Sequence, residues 1–139
     1  MLRLVGGGSV ATLSSLAGCF NFNAPENPAS GAFSHEEYTL GAKMTGWRGI
    51  EPEEINGELN PELKFRPEKS ICVRFKNLDG LRHKLVIKNS MEDTLEESPV
   101  SSKEGETVSM TFESSQEMTT YICPYYSVQM VGTILCTKY

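Results

Sequence analysis

The stretch Ser70-Ile71-Cys72-Val73-Arg74-Phe75-Lys76 constrains the fold more than any other part of this chain. Its strict alternation places Ile71, Val73 and Phe75 on one face of an extended strand and Cys72, Arg74 and Lys76 on the other. Similar short runs recur at residues 37–43, 63–66, 84–88, 107–112, 119–123 and 132–137. Turn-forming clusters such as Asn77-Leu78-Asp79-Gly80 separate them. No segment sustains a helical period over a useful length, so the pattern predicts an all-β sandwich or barrel. Residues 47–61, punctuated by Gly and Pro, read as a loop, and 92–102, largely polar, as a surface excursion. A chain of 139 residues can build one such core but not two.

The first residues do not join this pattern. Residues 1–19 carry one arginine, Arg3, and a short run of small and apolar residues ending in Leu16-Ala17-Gly18-Cys19. That tetrad resembles a lipobox, in which the cysteine becomes the attachment point of a lipid. The glycines at 6, 7 and 8 make a folded helix costly, about 1 kcal/mol each, and the run is too short to span a membrane. Residues 20–37, rich in Asn, Pro, Ser, Ala and Gly, read as a flexible tether. The expected organisation is therefore a lipoprotein-type signal at 1–19, a tether at 20–37 and a domain at 38–139. It implies an exported protein, anchored through Cys19 on the outer face of the cytoplasmic membrane.

Charge and motif content narrow the function. Thirteen Lys and Arg against eighteen Asp and Glu give a net charge of -5 without a basic cluster, which argues against a nucleic-acid partner. There is no Ser-His-Asp set, no phosphate-binding glycine loop and no zinc-type cysteine pair, so an enzyme is not expected. Two segments instead hold soft or borderline metal donors near strand ends: His83 in NLDGLRHKLVI, and Cys123 with Met130 in YICPYYSVQMVGTI. Imidazole, thiolate and thioether together suit copper better than zinc or magnesium.

In order and spacing these two segments resemble the cupredoxin family, the blue copper proteins of the plastocyanin, amicyanin and halocyanin group. Asn77 to His83 matches the segment of the first histidine ligand, and Tyr121-Ile122-Cys123-Pro124 through Met130-Val131-Gly132 matches the segment of the cysteine and methionine ligands. The loop with Trp47, Pro52, Ile55, Asn60 and Pro61 resembles that of extracytoplasmic archaeal members. The resemblance covers about 38–139 and implies a Greek-key β-sandwich, one copper ion held by His83, Cys123 and Met130, and electron transfer to a redox protein partner. It departs from the family at one position: Tyr126 stands where the second histidine is expected, and the other histidine of the chain, His35, lies in the tether. A phenol is protonated at neutral pH and must lose that proton to bind metal well. Two readings follow, a membrane-tethered copper electron carrier, or a degenerate cupredoxin-like domain that has lost copper and serves as a structural or binding module.

The remaining cysteines read as unpaired thiols. Cys136 shares the inward face of its strand with Ile134, whereas Cys72 shares a face with Arg74 and Lys76, so a disulfide between the two is not expected.

Overall fold

The computed structural model describes residues 36–138. Among the described residues nine strands carry the fold: β1 (Glu37–Lys43), β2 (Gly46–Glu51), β3 (Leu63–Phe65), β4 (Ser70–Asn77), β5 (Val86–Lys88), β6 (Thr94–Glu97), β7 (Thr107–Glu113), β8 (Thr120–Ile122) and β9 (Val131–Cys136). They form two sheets, one in the order β3-β9-β8-β5-β6 and the other in the order β2-β1-β4-β7. Both are mixed, because β9 runs parallel to β3 and β1 parallel to β4 while the other pairs are antiparallel. Three connections stay within a sheet as hairpins, β1–β2, β5–β6 and β8–β9, and the others cross between sheets. This is the all-β sandwich that the alternation predicts.

The core lies between the sheets and is seamed by aromatic rings. Trp47 on β2 meets Tyr121 on β8 at 6.0 Å between centroids, and Phe65 on β3 meets Phe112 on β7 edge-on at 5.8 Å. Each pair joins one sheet to the other, and such pairs contribute about 0.5–1.5 kcal/mol beyond the area they bury. Ile71, Val73 and Phe75 of β4 point into this core, and Ile134 and Cys136 of β9 are likewise buried.

Two strands lie where the sequence reads as loop. β2 occupies 46–51 because its alternation is hidden by glycine: Trp47 and Gly49 face inward and Arg48 outward. A Cβ on Gly49 would run into the backbone oxygen of Ile55, so the absent side chain lets the turn at Glu53–Ile55 close over the strand. β6 is an edge strand with no buried residue, and burial is what alternation reports. A third correction concerns Cys72. It is buried despite lying on the outward face, and it is disulfide-bonded rather than a free thiol. Cys123 and Cys136 are free. The signal, the greater part of the tether, Cys19 and His35 also lie outside the described residues.

Gly132 on β9 sits against the ring of Tyr121, which is fully buried and hydrogen-bonded through its hydroxyl to the carbonyl of Pro61. A Cβ at Gly132 would overlap that ring, and a ring held at both ends cannot swing aside. Gly132→Ala is therefore expected to destabilise the protein by about 1–3 kcal/mol, the usual cost of overpacking. Urea unfolding measures it, and a variant within about 0.5 kcal/mol of the parent, the range of neutral substitutions, refutes the account.

Candidate metal centre

One end of the sandwich is built from the β4–β5 connection and the β8–β9 connection. The first begins at Asn77, whose fully buried amide organises the turn. Its Oδ1 accepts the N–H groups of Asp79 at 3.2 Å and Gly80 at 2.8 Å, and its Nδ2 donates to the carbonyl of Leu81 at 2.8 Å and to Ser101 Oγ at 3.1 Å. Gly80, at φ +78°, takes the left-handed conformation that lets the chain reverse. The chain then enters His83, whose backbone N–H and C=O are both paired with Ser101 at 2.8 Å. Ser101 Oγ in turn donates to Glu106 Oε1 at 2.7 Å. Local turn chemistry thus ends in a backbone clamp that fixes the Cα of His83.

The second connection closes on itself. Tyr126 N–H donates to the carbonyl of Cys123 at 3.0 Å, Met130 N–H to that of Tyr126 at 2.9 Å, and Cys123 N–H to that of Met130 at 3.0 Å. These three bonds make 123–130 a tight loop with Cys123 and Met130 at its neck. Asn60 ties it to the β2–β3 connection, donating from Nδ2 to the carbonyl of Gln129 at 2.9 Å while its Oδ1 accepts Trp47 N–H at 2.8 Å. Arg82 lies over the ring of Tyr125, 5.2 Å from its centroid, and joins the two connections.

Between them, His83 Nδ1 and Cys123 Sγ face each other at 3.8 Å. The side chains of His83, Cys123 and Met130 are all fully buried. The other ring nitrogen, Nε2, is 2.8 Å from Asp79 Oδ1. Tyr126 is half-buried, and its ring lies beside the imidazole with centroids 5.5 Å apart at 51°. Burial acts to raise the pKa of Asp79, but the hydrogen bonds from Leu81 N–H, His83 and Met44 N–H together outweigh it and hold the carboxyl below its ordinary value. Asp79 is accordingly an anion.

The separation of 3.8 Å tests whether this pair fits a metal. A first-row ion lies about 2.0 Å from an imidazole nitrogen and about 2.3 Å from a thiolate. At the trigonal angle of a blue copper site, about 120°, those two donors stand roughly 3.8 Å apart. The pair fits without rearrangement. Among the described residues no three His, Cys, Asp or Glu side chains form a group that could hold a metal ion. Asp79 and Asn77 were not singled out by sequence as site residues, because Asn-x-Asp-Gly reads as ordinary turn chemistry; the turn and the support of His83 use the same side chains.

Neither a family model nor a curated protein sequence matches the chain. Solved structures do. The chain is similar to auracyanin A, a blue copper protein of Chloroflexus aurantiacus, at 18% identity and a TM-score of 0.55, covering 73% of this chain and 98% of that one. It is similar to auracyanin of Roseiflexus castenholzii at 14% identity and a TM-score of 0.57, covering 75% and 98%. The copper protein rusticyanin matches at 16% identity and a TM-score of 0.58, covering 76% and 80%. At these identities the likeness establishes the fold, which is the cupredoxin β-sandwich.

Asn77 makes five side-chain hydrogen bonds in a fully buried position, and truncation leaves their partners stranded. Asn77→Ala is expected to cost about 2–3 kcal/mol, since each buried group left unsatisfied costs about 1–3 kcal/mol. Chemical denaturation reads this directly, and a loss under about 0.5 kcal/mol, no larger than a neutral surface change, would mean that the turn is held by something else.

Proposed function

We propose that this chain is a copper-binding electron carrier of the cupredoxin type, exported and tethered to the outer face of the cytoplasmic membrane through Cys19. His83, Cys123 and Met130 are its donors, and Tyr126 occupies the position of the family's second histidine. The observation that carries the reading is the buried meeting of His83 Nδ1 and Cys123 Sγ at a separation suited to one bridging ion. Copper would supply a one-electron couple there, and the protein's task is to hold the donors in one arrangement for both oxidation states. The backbone clamp on His83 and the closed loop from Cys123 to Met130 meet that requirement. Tyr126 and the exposed side chains of Tyr125 and Val128 beside it form the edge at which a redox protein would dock. The reaction makes no covalent product, so the protein is a carrier and not an enzyme.

A second reading keeps the fold and discards the copper. It draws on Tyr126, because among the described residues His83 is the one histidine. A domain that has lost its second imidazole would survive as a structural or binding module.

Adding Cu(II) to the purified protein separates the two. The carrier binds one equivalent and develops an intense thiolate-to-copper absorption band, which Cys123→Ser abolishes and Cys136→Ser leaves intact. Copper at a hundred times its dissociation constant should also stabilise the fold by about 2.7 kcal/mol, raising Tm by ten degrees or more for a domain of about this size. If the parent shows neither band nor stabilisation while Tyr126→His gains both, the copper-free module is correct.

The tether has its own test. The sulfur of Cys19 can carry a thioether-linked lipid only if it takes part in no disulfide, and intact mass of the protein from native membranes decides the matter. A mass increase of a diacylglyceryl group with cleavage before Cys19 is expected, and an unmodified Cys19 removes the anchor.

A further inference from the structure

Asp79 is placed to do more than close a turn. Its carboxylate receives three donors: Oδ1 accepts Leu81 N–H at 3.0 Å and faces His83 Nε2 at 2.8 Å, and Oδ2 accepts Met44 N–H at 2.8 Å. A carboxylate can only accept, so the short approach of Nε2 requires that nitrogen to carry the proton. In a neutral ring Nδ1 is then bare, and its lone pair points toward Cys123 Sγ. Neither ring nitrogen reaches water, because the ring is fully buried. Without Asp79 the remaining polar partner of the ring among the described residues is the sulfur of Cys123, toward which the ring would turn the opposite tautomer and donate from Nδ1. That tautomer offers no lone pair at the position where a metal ion would bind.

We propose that Asp79 is a positioning residue that holds His83 as the Nε2–H tautomer, keeps the Nδ1 lone pair directed at Cys123 Sγ, and strengthens Nδ1 as a donor through its negative charge. The first two parts concern the protein alone; the third rests on the copper-binding reading above. An outer hydrogen bond of this kind orients a ligating histidine and increases its basicity. Here the sequence supplies a full anion from four residues upstream in the same loop. The hairpin turn of β1 and β2 contributes as well, since Met44 N–H holds the far oxygen of that anion and thereby aims the near one.

The test uses the full chain in two forms. In the metal-free protein, ¹⁵N NMR of the imidazole should show one ring with its proton on Nε2, and Asp79→Ala should move the proton wholly or partly to Nδ1. With Cu(II) as the probe, Asp79→Asn preserves shape and removes charge, so affinity should fall about 10-fold or more and the reduction potential should rise. A change in turn stability alone would not move the ring proton in the folded protein. A parent ring protonated on Nδ1, or an Asp79→Ala ring unchanged from the parent, overturns the assignment. Should Asp79→Ala fail to fold, the Asn variant decides: parental affinity and parental potential together overturn the proposal. If the parent binds no copper, the electron-carrier reading fails by itself, and the metal-free ring signals still decide whether Asp79 holds the tautomer.

Discussion

A fully buried imidazole has two nitrogens to satisfy, and no water to satisfy them with. In this chain the requirement is met asymmetrically, with an anionic carboxylate at Nε2 and a thiol sulfur at Nδ1. The asymmetry explains why so much of one end of the sandwich is polar yet buried. The buried Asn77 and Ser101 and the partly exposed Asp79 are successive supports, the first shaping the turn, the second pairing with the backbone of His83, the third fixing the ring. Removing any of them leaves another group stranded, so the cluster behaves as one unit.

The sulfur side is built by different means. Cys123 and Met130 lie at the neck of a loop that three backbone hydrogen bonds close, and the strands on either side of it pair through Ile122 and Val131. The hairpin can come this close to the core because Gly132 leaves room for the Tyr121 ring, whose hydroxyl binds the Pro61 carbonyl and which lies tilted against Trp47. Packing therefore places the thiol, whereas hydrogen bonding places the imidazole. The two methods converge on a single separation because β5 and β8 are neighbours in one sheet.

How far this was legible in sequence depends on which force placed each residue. Alternation reports burial on one face, so β4, β7 and β9 could be read directly from their apolar spacing. It is silent where glycine replaces the inward side chain, as at Gly49 in β2, and where an edge strand buries nothing, as in β6. Cys72 shows the converse: its outward register is readable, but neither its burial nor its disulfide follows from that register. His83, Cys123 and Met130 could be singled out because their donor chemistry is rare and their order distinctive. Asp79 could not, since an aspartate beside a glycine in a turn is common, and only the fold shows that its carboxylate reaches the ring of a histidine four residues later.

Under the proposed function, Tyr126 and Asp79 bear on one question, the charge around the copper. A second histidine would add a neutral donor, whereas a phenol binds well only after giving up its proton and then adds a negative charge. With the thiolate of Cys123 already present and Asp79 behind His83, phenolate ligation would gather three anions about one ion. Such a set favours Cu(II) over Cu(I), because the higher charge gains more from each anion. A neutral Tyr126 beside the imidazole would instead leave His83 and Cys123 as the strong donors, with Met130 as the weak one. The phenol then acts as an aromatic wall against solvent, a role its half-buried ring and its 5.5 Å approach to His83 already fit.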